Sequence, residues 1–398
     1  MTESAYYDVV VVGGGPAGST AATDLAARGR RVLLLDRAGR IKPCGGAVPP
    51  KLLREFEVPD SLLVARARSA RIVAPSARRV EMPIKDGGFV GMVDREHFDE
   101  WLRQRAESRG ATRLAGSFEG ITRDPLNRPL VRFRANGETS SREVRARVVI
   151  GADGAASAVG RAEVPAARES ARVYAYHEIV RAPRDHALAD YDSTRCEVHY
   201  RGEISPDFYG WVFPHGDTVS IGSGTAAKGF SLRGAVTQLR ADTGLADAQI
   251  VRREGAPLPL EPLRCWDNAR DVLLAGDAAG VVAPASGEGI YYAMTGGRLA
   301  ADAVDEFLRE GNPKALAQAR RRFMRAHGRV FWVLGLMQRF WYHSDKRRER
   351  FVSMCSDEDV QAITWEAYLN KRLVRSRPFA HARIFFKDMA HLLGLVTP

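Results

Sequence analysis

The chain has 398 residues, 45% hydrophobic and 27% charged, a length and globular composition that predict two or three structural units sharing a large core. Its formal net charge of +11 is uneven, because residues 311–398 hold 17 Lys and Arg against 7 Asp and Glu while the rest is nearly neutral. The four cysteines, Cys44, Cys196, Cys265 and Cys355, form no C-x-x-C pair, which argues against a zinc site or redox disulfide, predicts no bound metal and fits a reducing compartment.

The chain opens on "MTESAYYDVV", with no basic n-region, so no signal peptide is expected. No apolar run reaches the roughly 20 residues of a membrane-spanning helix. The expected location is cytoplasmic, with peripheral attachment to a membrane as the closest contact with lipid. Each cysteine is expected to be a small buried hydrophobe.

Asp8 to Val12 reads as a strand; Gly13-Gly14-Gly15-Pro16-Ala17-Gly18 follows, then the helix-like "STAATDLAARG" and a second strand, "RRVLLLD", ending at Asp36. This is a βαβ unit with G-x-G-x-x-G at its first turn. Gly13, Gly15 and Gly18, with Ala17 between them, permit a tight turn and close approach to a pyrophosphate, whose charge sits at the helix N-terminus. Asp36 lies 18 residues past Gly18, where a carboxylate meets an adenosine ribose hydroxyl. It disfavours a 2′-phosphate, so FAD or NAD is expected there over NADP, although the neighbouring Arg37 argues the other way.

"KPCGGAVPP", from Lys42 to Pro50, sets a cysteine between a proline and two glycines. Short strands follow in "ARIVA" and "RRVEMPI". Asp94 to Gly110 has Phe98, Trp101 and Leu102 at helical spacing, with Asp94 as an N-cap. "RPLVRFRA" and "RARVVIGADG" return to strand. From Arg172 to Gly224 the pattern is again β, including "GWVFP" and "TVSIGSGT", in a layer apart from the nucleotide fold. "DVLLAGDAAGVVAPASGEGIYYAM" gives a strand, a glycine-rich loop and the start of a long helix, and from Pro313 onward the chain reads as mostly helical. There is no internal repeat and no second dinucleotide fingerprint.

Three motifs now stand in order: Gly13 to Gly18 with Asp36, "GADG" at Gly151 to Gly154, and "GDAAGVVAPASGEG" at Gly276 to Gly289. Together they resemble the FAD-binding signature of the p-hydroxybenzoate hydroxylase-like flavoproteins. The resemblance implies an α/β fold, with a Rossmann-like FAD-binding domain (1–50, 91–165, 265–310) interrupted by an antiparallel β substrate domain (51–90, 166–264). A basic, aromatic-rich helical C-terminal region (311–398) would follow. It further implies that Arg95 supports the pyrophosphate, that Asp153 and Gly154 form a turn near the cofactor, and that Asp277 binds the ribityl chain. Gly287 and Gly289 would place backbone N–H groups and a positive helix end at flavin N1 and O2, where the reduced flavin is anionic.

Within that superfamily the chain is similar to the geranylgeranyl reductases. The resemblance rests on "KPCGG", on Tyr209-Gly210-Trp211-Val212-Phe213-Pro214, and on the C-terminal stretches "VFWVLGLMQRFWYHSDKRRERFVSMCSDEDVQAITWEAYLNK" and "RPFAHARIFFKDMAHLLGL", which resemble the bacteriochlorophyll-pathway members. It implies reduction of all but one of the double bonds of a geranylgeranyl tail to phytyl. NADPH would dock transiently as hydride donor, and the substrate would be prenylated bacteriochlorophyll or geranylgeranyl diphosphate.

An isolated trisubstituted alkene has no carbonyl to accept electron density, so a proton must arrive early and a hydride follow at the carbon left electron-poor. Such a site needs an acid and dry apolar walls. Cys44 is the candidate proton donor and, with Gly45 and Gly46, lies where backbone approaches the flavin closely; its thiol would have to stay protonated, as an apolar pocket favours. Tyr209, His215, a bound water and the reduced flavin compete with it, and space-filling is the simpler reading of Cys44. Trp211 and Phe213 alternate along a strand and so face one side, assigned with Tyr209 and Pro214 to a prenyl tunnel or, more plainly, to sheet core.

In the C-terminal region Arg320, Arg321, Arg322, Lys346, Arg347, Arg348 and Arg350 flank Phe331, Trp332, Phe340, Trp341 and Tyr342. This mixture suits peripheral attachment to an anionic membrane surface, on the cytoplasmic face of a photosynthetic membrane, or a solvated helical face. No nucleic-acid motif accompanies the charge, so nucleic acid is not an expected partner. The rival readings are a flavin monooxygenase or halogenase on the same fold, and a non-catalytic prenyl-pigment carrier.

Overall fold

The computed structural model describes residues 5–37, 39, 41–169, 171–183 and 190–371. The predicted βαβ unit is β1 (Tyr6–Val12), α1 (Pro16–Ala27) and β2 (Val32–Asp36). A short β3 (Ala47–Val48) and α2 (Pro50–Glu55) lead into β4 (Leu63–Ala67), β5 (Ser69–Val73), β6 (Arg79–Pro83) and β7 (Val90–Val93). α3 (Arg95–Ser108) begins directly after Asp94; β8 (Thr112–Arg123), β9 (Pro129–Ala135), β10 (Arg142–Gly151) and α4 (Ala158–Glu163) follow.

The later β region comprises β11 (Arg172–Arg181), β12 (Arg195–His199), β13 (Gly210–His215) and β14 (Thr218–Thr225), then α5 (Leu232–Asp242) and β15 (Ile250–Pro259). β16 (Val272–Leu274) and a 3-10 turn at Gly276–Ala279 precede the long α6 (Ile290–Glu310). The chain continues through α7 (Gln318–Trp341), α8 (Asp345–Met354) and α9 (Glu358–Asn370). "RPFAHARIFFKDMAHLLGL", at 377–395, lies outside the described residues.

The chain divides into two compact units. The first takes the described parts of 1–42, 95–172 and 257–335. Its parallel core places β1 between β2 and β10, with β8 outside β2 and β16 outside β10. β9 runs antiparallel to the far ends of β8 and β10. Val9 to Val12 and Val32 to Leu35 are buried on both faces, so these strands read as continuous apolar runs.

The second unit takes the described parts of 43–94, 173–256 and 336–398. Its seven-stranded sheet has the order β15-β11-β14-β13-β12-β5-β6. Along β11 to β14 it is antiparallel, and β12 pairs parallel with β5. One face carries Val180, Val212, Val219 and Ile221, packed on Val236 and Leu239 of α5. A three-stranded sheet, β3-β7-β4, completes the unit. Met92, Val90 and Ala67 from it form a core with Cys196, against which Phe213, Trp365 and Tyr368 pack.

The expected C-terminal block 311–398 is divided after Gly335, within α7, between the two units. The cysteines also differ from expectation. Cys196 and Cys355 are buried, and burial pushes both thiols up to about 12, but Cys265 is exposed and donates to the Asp267 carbonyl.

Candidate functional site

In the first unit the three glycine motifs converge through close contacts that only glycine allows. A Cβ on Gly13, whose φ is +106°, would lie 2.3 Å from the Ala152 carbonyl oxygen, so the "GADG" turn rests on the first glycine loop. A Cβ on Gly276 would lie 2.7 Å from Ala17 Cβ, and one on Gly297 would lie 2.2 Å from the Ala17 carbonyl oxygen. Ala17 is thus gripped by the Gly276–Asp277 turn and by α6.

The helix ends at these loops carry no side-chain cap. Gly15 is the N-cap of α1 with no side-chain hydrogen bond, and open space lies over it. Gly289 is the N-cap of α6, likewise without a side-chain cap. Uncapped N-termini beside glycine loops suit anionic oxygens. These two ends fit the pyrophosphate and the electron-rich edge of a flavin.

Asp36, at the end of β2, lies against Gly14, and Arg103 of α3 approaches both, 3.3 Å from the Gly14 carbonyl oxygen and 3.3 Å from Asp36 Oδ2. Glu100 stands behind Arg103; hydrogen bonds from Arg113 and then Arg103 hold its carboxyl down at about 2. Asp277 is buried and ion-paired to Lys42, with Oδ1 3.7 Å from where a Gly289 Cβ would stand. Sequence reading passed over both Arg103 and Lys42. A basic residue three positions from Glu100 on a helical face carried no signal of its own, and Lys42 counted only as part of "KPCGG".

Other expected residues occupy different surroundings. Arg95 is buried, and its guanidinium forks onto Asp99 at 2.8 and 2.7 Å. The Asp153 carboxylate accepts from Ser157 Oγ and from the amides of Ala158 and Val159, and so starts α4. Gly154 and Gly287 have φ of +84° and +65°. Arg37 is exposed.

In the second unit the Cys44 turn meets one face of β13. A Cβ on Gly45 would lie 3.1 Å from the Phe213 ring and 3.9 Å from Trp211 Nε1. One on Gly46, whose φ is +71°, would lie 2.5 Å from both His215 Nε2 and the Val93 carbonyl oxygen. Trp211, Phe213 and His215 therefore share a face against the turn, as alternation predicts. Pro214 lies with Val212 on the other face, against α5, and so does not join the wall expected of it. Tyr209 stacks on Phe208 with ring centroids 4.2 Å apart and meets Trp211 edge-on.

Cys44 is half-buried, and its Sγ accepts from the Gly46 amide at 3.4 Å. His215 Nδ1 lies 3.2 Å from the Phe213 carbonyl oxygen, an acceptor only, so the neutral ring carries its proton there. Burial pushes His215 down to about 4. It is neutral near pH 7 and presents a bare Nε2, which removes it as a general acid.

Comparison with known proteins places these features. The family model described as "FAD binding domain" matches residues 6–328. A geranylgeranyl diphosphate reductase of Rhodobacter capsulatus is 58% identical over 98% of this chain and 99% of that protein. The chloroplastic geranylgeranyl diphosphate reductase of Oryza sativa subsp. japonica is 36% identical over 97% of this chain and 86% of that protein. A geranylgeranyl bacteriochlorophyll reductase-like protein from Thermoplasma acidophilum shares the fold, with a TM-score of 0.80 at 22% identity over 94% of this chain and 99% of that one. A flavin-dependent brominase also shares it, at 0.72 and 15% over 96% and 99%, so the fold alone does not separate oxygen chemistry from alkene reduction. Identity over nearly the whole length does separate them: the chain belongs to the geranylgeranyl reductase family of FAD-binding-domain proteins.

Proposed function

We propose that this chain is an FAD-dependent oxidoreductase that reduces isolated C=C bonds of a geranylgeranyl chain, with NADPH as donor. The observation that carries the reading is the cradle around Ala17, where two uncapped helix ends, Asp36 and Asp277 are held by glycine contacts, in a chain 58% identical to a geranylgeranyl diphosphate reductase. FAD, when bound, supplies the hydride that it has received from NADPH.

The residues that would hold it are Gly13 to Gly18 at the pyrophosphate, Asp36 at the ribose, Asp277 at the ribityl chain, and the α6 N-terminus at the ring edge. Gly45, Trp211 and Phe213 are proposed to give the isoprenoid an apolar, water-poor wall. Cys44 is proposed to deliver the proton from Sγ at that wall, where His215, with its proton on Nδ1, offers a bare Nε2.

The isoprenoid is the part of the substrate these residues recognise; its head is a diphosphate or a bacteriochlorophyll. Anaerobic turnover with NADPH and either geranylgeranyl diphosphate or geranylgeranyl-bacteriochlorophyll, with products resolved by mass, tests the reading. Gains of two hydrogens per step without oxygen are expected, and the arm that turns over identifies the head. Strict oxygen dependence would replace the reading with a monooxygenase, and a flavin that NADPH never reduces would replace it with a carrier.

We further propose that the enzyme works at the cytoplasmic surface of an anionic membrane. Moving a twenty-carbon tail from water to a tunnel gains at most about 16 kcal/mol at about 0.8 kcal/mol per carbon, but almost nothing for a tail already in lipid, so attachment shortens the transfer. α7 supports this. Apart from Ala326, its exposed residues form one stripe, Arg321, Arg325, Arg329, Trp332, Leu336 and Arg339, on a helix without any acidic residue. Trp332 is 70% and Leu336 55% exposed. A basic stripe with apolar side chains at its centre suits interfacial lipid. No helix among the described residues is long and apolar enough to cross a membrane.

A further inference from the structure

Trp211 does not merely pack. Its indole lies across β14 at Gly222, where a Cβ would come within 2.2 Å of the ring, and Nε1 donates to Ser220 Oγ at 3.1 Å. Ser220 is fully buried and also lies 3.0 Å from His177 Nδ1. His177 Nε2 is 2.9 Å from Glu254 Oε2, and Glu254 Oε1 is 2.6 Å from Arg252 Nε. Trp211, Ser220, His177 and Glu254 come from four strands, β13, β14, β11 and β15, and make one line across the sheet, with Arg252 beside Glu254 on β15.

The proton inventory gives that line a direction. Indole N–H only donates, so Ser220 Oγ accepts from Trp211 and turns its own hydrogen to His177 Nδ1. His177 then carries its proton on Nε2 and gives it to Glu254, which Arg252 holds from the other side. With a neutral imidazole the indole, hydroxyl and imidazole hydrogens each have an acceptor, and Arg252 contributes only an ion pair to Glu254, which favours one plane for the indole.

We infer that Ser220, His177 and Glu254 are positioning residues that lock the Trp211 indole beside the Cys44–Gly46 turn and so decide how far a geranylgeranyl chain is reduced. The inference rests on Trp211 forming part of the isoprenoid wall. A released indole can tip toward Gly45, 3.9 Å from whose built Cβ its nitrogen now stands, narrowing the place where successive double bonds must settle. The tail must be readmitted in a new register for each reduction, so a wall that moves affects the later reductions most.

The test uses the FAD-loaded enzyme with NADPH and geranylgeranyl diphosphate or pigment, whichever turns over, with dihydro, tetrahydro and fully reduced products separated by mass. Ser220→Ala, which removes both hydrogen bonds of that hydroxyl, is expected to keep flavin absorbance and a cooperative melt at a lower midpoint, to raise the ratio of partly to fully reduced product roughly fivefold for the one hydrogen bond lost by the indole, and to speed hydrogen exchange of one indole N–H, assigned with Trp211→Phe. Ser220→Thr, which retains the hydroxyl, should restore both. If Trp211→Ala changes the product ratio and Ser220→Ala does not, the positioning role is overturned while the wall stands. If neither changes it, both are overturned. Should Ser220→Ala fold poorly, Glu254→Gln, which keeps an acceptor, against Glu254→Leu, which does not, reads the same ratio: equal products from the two overturn the inference.

Discussion

Lys42 and Asp277, 235 positions apart, form an ion pair at the foot of α6. Asp277 is almost wholly buried, whereas Lys42 is one-third exposed, so the pair matters through the buried carboxylate it aims. Lys42→Met should raise the FAD dissociation constant roughly tenfold, and Arg103→Met should weaken it to a smaller extent by releasing Asp36. Titration of apoprotein with FAD, followed by flavin fluorescence, measures both.

Gly46 and Gly45 should respond unequally to alanine. Gly46→Ala puts a methyl 2.5 Å from the Val93 carbonyl oxygen at a φ of +71°, which should cost at least about 2 kcal/mol. Gly45→Ala meets side chains alone, the Phe213 ring at 3.1 Å and Trp211 Nε1 at 3.9 Å, and should fold nearly normally while reducing substrate more slowly. Urea unfolding and turnover separate the two effects.

His215 makes the fold sensitive to acid. Burial, the largest influence, lowers its folded value to about 4 from 6.5, opposed by the Phe213 carbonyl and Asp94 and aided by His177 and Arg252. The unfolded chain therefore binds the extra proton first. The contribution is fully present above pH 6.5, declines as pH falls, and has been lost by about pH 4, a total of about 3 kcal/mol. His215→Gln should flatten that part of the stability profile, measured by chemical unfolding at each pH.

Cys44→Ser should keep FAD and the fold and slow reduction or stop it at partly saturated tails, since a hydroxyl is a far weaker acid than a thiol. An unchanged rate and product distribution would remove Cys44 from proton delivery.

On α7, Trp332→Ser with Leu336→Ser should reduce binding to vesicles containing anionic phosphatidylglycerol by roughly tenfold or more, and high salt should weaken the unmodified chain's binding through the arginines. Flotation at low and high salt reads both, and absence of binding at either sinks the membrane proposal.

The βαβ unit was legible because its signals are local: a strand, a fixed glycine spacing, a helix and a terminal acid within the first 36 residues. Alternation likewise put Trp211 and Phe213 on one face. Partnerships formed across the sheet or across the chain were not legible. Nothing near Lys42 indicates Asp277, and nothing in "TVSIGSGT" marks Ser220 as the partner of an indole. The aromatic C-terminus shows the limit of composition, since Phe331, Trp341 and Tyr342 are buried and Arg348 is interior, bonded to the Pro206 and Tyr342 carbonyls. Charge and aromatic content give no direction around a helix; the outward stripe of α7 emerges only once its inner face has found partners.

The grip on Ala17 from both Gly276 and Gly297 makes the cradle behave as a fixed gauge. With no side chain on either glycine, Ala17 packs directly on their backbone, and α1 and α6 have no room to approach further there. If the two helix ends meet phosphates and ring as proposed, a dinucleotide flavin is expected to engage both and a mononucleotide flavin only one.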